Sequence, residues 1–339
     1  MLLPTTHQTA ILLLIASLIC LGSWPNFLKL AKWRFELFYF DFAAGALVLA
    51  IVAAMTLGTL GSELSFNDRI AVAGLRSQAM AIGGGFVFSI GNMLLVAAIS
   101  LVGMAASVPL ALSLVLIVVA VTNWQDANLT MLMLGTAALL TSVITAAIAM
   151  RKLDLTQVKK GRNGKQNTRT SGRGKKGIVL AVLGGLIIGG SALLAEGGLW
   201  GDLGLGAYAG SLMFCVGLAI STAIFNLFFM NIGIEGGRVT FGTYLAGKPI
   251  RHLLGFAGGV LWAVGSLAVL LAQSVTTALA PDQTTLTLFT QGAALVALVW
   301  GILAWREFAG SSKGAKISIA LTAAFFIGGC ILLAYRFQP

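Results

Sequence analysis

Charge is scarce in this chain. Asp, Glu, Lys and Arg make up 10% of the 339 residues against 58% hydrophobic, which excludes a soluble globular domain and a disordered chain alike. Histidine is nearly absent. His7 lies in the N-terminal tail and His252 at the start of an apolar run, too few for a His-based site and in no H-E-x-x-H setting, so no metal is expected. The three cysteines, Cys20, Cys215 and Cys330, lie inside apolar runs, where they are read as small packing groups rather than disulfide partners. No phosphate-binding G-x-x-x-x-G-K-[ST] string occurs, so no ATP engine and no cofactor are expected. The one G-x-S-x-G string, Gly310-Ser311-Ser312-Lys313-Gly314, sits between two apolar runs and reads as a turn, not a nucleophile elbow. With no catalytic constellation left, an enzyme is not expected.

What is present is a zigzag of ten apolar runs, near residues 9–29, 37–58, 75–100, 103–122, 129–150, 177–196, 206–232, 252–275, 283–304 and 315–335. About 20 helical residues cross a hydrocarbon layer, because lipid offers backbone amides no partner and the helix must satisfy them internally. Nineteen of the 22 Lys and Arg fall on one side of the zigzag, in the loops after runs 1, 5, 7 and 9; only Arg69, Arg76 and Arg336 fall on the other. The basic side is expected to face the cytoplasm and both termini the outside. The net charge of +11 is concentrated in residues 151–176, where it can hold orientation against anionic headgroups of the lipid bilayer, so no nucleic acid is expected as a partner. Run 1 has no basic n-region or A-x-A-like cleavage site and is read as a retained helix. The expectation is a multi-pass protein of the cytoplasmic (inner) cell membrane.

Residues 151–176 are rich in Lys, Arg, Gly, Asn and Thr and read as a basic linker between five-helix halves, 1–150 and 177–339. The halves echo each other. Residues 84–92 and 258–266 align without gaps at an offset of 174, with three glycines, an aromatic and a polar residue coinciding. An odd number of crossings per half inverts the second half relative to the first. The expected fold is therefore all-α, ten transmembrane helices in two inverted five-helix repeats, the architecture that exposes a midplane site alternately to either face. Small residues four apart, as in Gly185-xxx-Gly189, Gly206-xxx-Gly210 and Gly255-xxx-Gly259, allow close helix approach.

Polar groups inside the runs are the informative residues, because a charge at a helix centre costs roughly 2.5–3.5 kcal/mol on insertion scales. Asp41 lies about one turn inside run 2, and Glu196 closes run 6. Each is a candidate proton carrier; the alternatives are a structural pairing of Asp41 with Lys32, Arg34 or a loop Arg, and an interfacial carboxylate for Glu196. Asn92 falls near the middle of run 3 with Phe88 one turn before it. Trp262, Ser266 and Gln273, at spacings of four and seven, place an aromatic and two hydrogen-bonding groups along one stripe of run 8. Such a stripe suits a small, flat, polar solute, and equally suits hydrogen bonding between helices. Pro25, in Ser23-Trp24-Pro25-Asn26, interrupts run 1 because it cannot donate to the carbonyl four residues earlier. Gln291 in run 9 is a further candidate.

Gly22-Ser23-Trp24-Pro25, Tyr39-x-Asp41-Phe42, Gly83 to Asn92, Trp300-Gly301-Ile302, Glu307-Phe308 and Ser311-Ser312 together resemble the ureide permeases of the drug/metabolite transporter superfamily. Rhamnose and glucose uptake transporters of that superfamily look similar in the same regions. The resemblance implies proton-coupled uptake of allantoin, uracil or a related heterocycle, and carries function onto Trp24, Pro25, Asp41, Gly91 and Asn92. The short linker departs from the plant ureide permeases, whose long central loop carries a Walker-like sequence. The expected arrangement has Trp24, Phe88 and Trp262 clamping the solute, Asn92, Ser266 and Gln273 bonding its edges, and Asp41 exchanging the driving proton. A sugar importer on the same scaffold, an exporter of apolar cations and a non-transporting membrane protein are the alternatives. Oligomeric state is not legible.

Overall fold

In an apolar solvent every peptide group must find its partner within its own segment, and helices do this locally. The structure, a computed structural model, describes residues 1–61, 63–125, 127–163, 172–201, 203–275 and 283–335, and among these no strand occurs. Run 1 is divided at Trp24 into α1 (His7–Ser23) and α2 (Pro25–Ala31), with Pro25 at the first position of α2, where its missing N–H costs nothing. Then follow α3 (Phe35–Met55), α4 (Phe66–Val72), α5 (Leu75–Val102), α6 (Met104–Thr122), α7 (Leu129–Asn163), α8 (Arg173–Leu199), α9 (Gly206–Ile232), α10 (Phe241–Leu245), α11 (Pro249–Gln273), α12 (Gln283–Val299) with a π-helical turn at Trp300–Ala304, and α13 (Lys313–Ala334). Among the described residues nine segments, α1 with α2 counting as one, are long and apolar enough to cross a membrane; the tenth run is the shorter apolar helix Leu288–Ala304. The chain is a polytopic, all-helical membrane protein. Helix α7 enters the basic segment as far as Asn163 and α8 leaves it from Arg173; residues 164–171 of the expected linker, and Arg336, lie outside the described residues.

Polarity is arranged outside-in. Leu12, Ile19, Ile144, Ile220 and Leu303 are exposed, while Ser17, Ser89, Asn92, Ser142, Ser221, Thr222, Asn226 and Thr322 are buried between helices. Hydrogen bonds join distant segments at both ends of the bundle as well as between helix middles, as Ser89 Oγ with Thr222 Oγ1 at 3.0 Å. At the basic end Lys152 Nζ donates to Gly314 O at 3.2 Å, and at the far end Tyr208 Oη donates to Leu2 O at 2.8 Å. The Gly310 to Gly314 string runs from the turn into the first residues of α13, with Ser312 capping that helix through the Ala315 amide.

Helix α5 packs on α8 and α9, α11 on α1 and α3, α3 on α9, and α7 on α13. Glycines set two of these crossings. A Cβ at Gly85 (α5) would strike the carbonyl oxygen of Phe214 (α9), and one at Gly217 (α9) that of Ile82 (α5). A Cβ at Gly259 (α11) would strike the carbonyl oxygen of Phe42 (α3), and one at Gly45 (α3) that of Phe256 (α11). The two crossings therefore use corresponding glycines of the 174-residue offset, Gly85 and Gly259. Replacing Gly85 by Val is expected to destabilise the detergent-solubilised protein by about 1–3 kcal/mol, as overpacking does, whereas Gly190→Ala, where a Cβ meets nothing within 4 Å, should leave the thermal midpoint in place. Equal midpoints for the two variants would refute the assignment of this crossing.

Candidate functional site

A cavity of about 340 Å³ is enclosed by helices from both ends of the chain. Its wall takes Trp24 and Pro25 from the α1–α2 break, Phe88 and Asn92 from α5, Val108 and Leu112 from α6, Ile188 and Ser191 from α8, Ser211 and Phe214 from α9, Trp262 and Ser266 from α11, and Thr290 and Gln291 from α12. It continues to Leu199 and Leu270, near the far ends of α8 and α11. No Asp, Glu, Lys, Arg or His is among the described lining residues. The wall offers apolar contact, aromatic faces and neutral hydrogen-bonding groups.

Of the residues singled out in the sequence, Trp24, Pro25, Phe88, Asn92, Trp262, Ser266 and Gln291 share this wall. Two do not. Gln273, seven residues past Ser266, is carried to the end of α11 and lines a separate pocket with Arg69 and Trp200. Glu196 is exposed on α8, outside the cavity wall. The aromatics also differ in arrangement from a clamp. Phe88 and Trp262, 174 residues apart, stack on each other with centroids 5.0 Å apart, and Phe214 lies 5.3 Å from Phe88, so the three form one continuous face. Trp24 is joined to that face through Phe42, at 5.0 Å from Trp24 and 5.8 Å from Trp262.

Asp41 is not in the cavity. It sits where α3 crosses α11 near the basic end, and its partners are Tyr244 and His252 rather than the expected Lys32 or Arg34; Arg34 pairs instead with Glu36 at 2.8 Å. His252 Nδ1 lies 2.9 Å from Asp41 Oδ2 and 3.2 Å from Oδ1, and Tyr244 Oη donates to Oδ1 at 2.7 Å. Trp33 stacks on Tyr244 at 5.9 Å and meets His252 edge-on at 4.8 Å. Burial, together with the bond to Asp41 and its charge, holds the Tyr244 phenol above its ordinary range, so Tyr244 remains the donor. Sequence reasoning passed over both partners, because Tyr244 and His252 reach Asp41 only through the α3–α11 packing.

A second set of contacts fixes the broken helix. Ser23, Asn26 and Lys29, three residues apart along α1–α2, meet the π-helical end of α12: Trp300 Nε1 donates to Ser23 Oγ at 2.9 Å, Trp305 Nε1 to Asn26 Oδ1 at 2.6 Å, and Lys29 Nζ to Glu307. Glu307 also accepts from the Met104 and Ala105 amides at 2.9 and 2.8 Å, placing a carboxylate on the positive N-terminus of α6. This needs a glycine before α6. Gly103 has φ +95°, and a Cβ there would strike the Glu307 carboxylate. On the basic side of this layer lies a second cavity of about 400 Å³, lined by Lys29, Lys32, Asp154, Glu235 and Glu307 among others.

The ureide permease family model matches residues 38–181. That stretch contains Tyr39, Asp41, Phe88 and Asn92. Ureide permease 4 of Arabidopsis thaliana is 32% identical over 118 residues, 33% of this chain and 29% of that protein. Ureide permease 1 and ureide permease 2 of the same plant are 29% and 30% identical over 119 and 122 residues, each 34% of this chain, and 30% and 31% of those proteins. These matches support the ureide permease family for this chain, which spans about three tenths of the length of the curated relatives it matches. One solved crystal structure resembles it weakly, with a TM-score of 0.48 and 14% identity over 98% of this chain and 99% of that one.

Glu235, past the end of α9, gives a pH test of the basic-side cavity. Burial raises its carboxyl above the ordinary 4.5 and the Glu36 charge adds to this, against the opposing effects of Ser100, Arg34 and the Phe35 amide. A carboxyl that holds its proton more tightly when folded loses stability as pH rises from its unfolded pKa through its folded one. Glu235→Gln should therefore gain thermal stability relative to the wild type as pH rises above the ordinary carboxyl value of 4.5. A difference that stays constant as pH rises would contradict it.

Proposed function

We propose that this chain is a secondary active transporter, not an enzyme, which takes up a small neutral polar heterocycle, a ureide such as allantoin or a nucleobase such as uracil, coupled to protons. The observation that carries this reading is the uncharged, aromatic-walled cavity. Its volume falls at the small end of ligand pockets, its aromatic face matches a flat ring, and Asn92, Ser266 and Gln291 offer neutral groups to ring N–H and C=O edges. The permease names of the relatives agree with it. The alternatives fit less well. An exporter of apolar cations needs a carboxylate in the site, and a sugar has no flat ring to match the Phe88–Trp262–Phe214 face.

Alternating access is supported by the correspondence of the halves. The paired glycine crossings, and the stacking of Phe88 on its counterpart Trp262, suit an inverted repeat with the solute site on its pseudo-axis. With the basic loops in the cytoplasm, the cavity runs toward the outside, and the Ser23–Trp300, Asn26–Trp305 and Lys29–Glu307 contacts close the inner side. This is an outward-facing arrangement. Asp41, held by His252 and Tyr244 at the α3–α11 crossing, is the coupling group: protonation removes the charge that these partners hold and loosens a contact that inward opening must break. One proton crossing about 100 mV supplies roughly 2.3 kcal/mol, enough for about a fifty-fold gradient at about 1.4 kcal/mol per decade.

Proteoliposomes offered labelled allantoin, uracil and glucose with an imposed proton gradient test the reading: a ureide or nucleobase should accumulate and glucose should not. Asp41→Asn should abolish uphill accumulation while leaving solute exchange within about twofold of wild type. Retained accumulation in that variant would remove Asp41 from coupling.

A further inference from the structure

Behind the cavity wall, Tyr39 in α3 is fully buried, and its hydroxyl stands between two groups of α5: the backbone carbonyl of Ser89, at 3.3 Å, and the Asn92 carboxamide, at 3.1 Å. A carbonyl oxygen can only accept, so the single Tyr39 proton goes to Ser89. The phenol oxygen is then left as an acceptor toward Asn92, and only the NH₂ side of the carboxamide can satisfy it. The amide is thereby oriented, with Nδ2 toward Tyr39 and Oδ1 away from it. Asn92 itself is 2% exposed and lines the cavity. The relay is braced on its far side by Ser89 Oγ, 3.0 Å from Thr222 Oγ1, which in turn donates to Leu218 O, so α5 is tied to α9 at the same level.

We infer that Tyr39 is a positioning residue that sets solute specificity, by locking the Asn92 carboxamide so that the cavity presents a hydrogen-bond acceptor selecting solutes with a ring N–H. The inference rests on the proposed transport function and deepens it by naming the part of the solute that is read. A carboxamide free to flip would offer a donor and an acceptor equally and would read a ring N–H and a ring C=O alike. Held as it is, it rewards the N–H and leaves its own oxygen unpaired when the N–H is blocked.

The test is competition against labelled uracil uptake in proteoliposomes by thymine, 1-methyluracil and 3-methyluracil. Each adds one methyl group, on carbon in thymine and on one ring nitrogen in the others. Thymine should compete within about threefold of uracil, and at least one N-methyl isomer at least about tenfold more weakly, the scale of one hydrogen bond to a desolvated acceptor. In Tyr39→Phe the phenol is gone and the carboxamide can rotate: the preference for thymine over the N-methyl isomer should fall to within about threefold, with KM for uracil raised and kcat within about twofold. Equal loss of kcat for every solute with the preference intact would mark Tyr39 as structural only and overturn the inference. Should Tyr39→Phe fail to fold, the wild-type comparison still decides, because equal competition by thymine and both N-methyl isomers overturns the inference while leaving transport standing. No wild-type uptake of allantoin or uracil would overturn the transport reading and this inference with it.

Discussion

Helices approach backbone to backbone where α5 crosses α9 and α11 crosses α3, with Gly85, Gly217, Gly259 and Gly45 each facing a carbonyl oxygen of the opposite helix. Lipid tails are as apolar as leucine side chains, so helices in a membrane are held by packing and by hydrogen bonds between them rather than by expulsion of water. The cavity wall follows from these crossings. They place Phe88 against Trp262 and Phe214, bring Tyr39 behind Asn92, and set Asp41 beside His252. A side chain at any of the four glycines would widen a crossing and move the wall with it.

The basic end of the bundle and the cavity differ in chemistry. At the basic end the contacts are charge-assisted: Lys29 with Glu307, Glu307 on the α6 amides, Arg34 with Glu36, and Asp41 with His252 and Tyr244. Such bonds strengthen as the local dielectric falls and depend on protonation and geometry. The cavity above them, by contrast, is neutral and largely apolar. A neutral cavity costs a neutral solute little desolvation, while the charged layer gives a closed end that can be opened by changing one charge. Two non-glycine residues with positive φ, Lys32 at 46° and Arg306 at 49°, end the segments that meet in this layer. Local backbone strain there is compensated by the Lys29–Glu307 and tryptophan contacts between them.

The helical segments were legible because each depends on a one-dimensional property, the length of an apolar run; nine described segments and the shorter helix Leu288–Ala304 fall on the ten runs. The break at Trp24-Pro25 was legible for the same reason, since proline lacks a donor wherever it stands. Trp262 and Ser266 share the cavity wall because a spacing of four keeps residues on one helix face. Gln273 does not, because seven further residues travel about 10 Å along a helix, enough to leave a small cavity. Asp41 could be placed in depth but not given its partners. Of the neighbours in sequence named for it, Arg34 is taken by Glu36, and the groups that hold it lie more than 200 residues away.

The sequence by itself determined that this chain is a stack of membrane-crossing helices, that the first breaks at Trp24-Pro25, and which few polar residues lie within the apolar runs. Insertion energetics act on each segment separately, so a single strand of letters carries that information. Only the tertiary structure decided which of those polar residues face a common space, that Phe88 and Trp262 form one face rather than two, and that the Asn92 carboxamide turns its oxygen away from Tyr39. Those outcomes depend on the rotation and crossing of helices about one another, set by glycine contacts between distant parts of the chain, and no periodicity within a single helix encodes them.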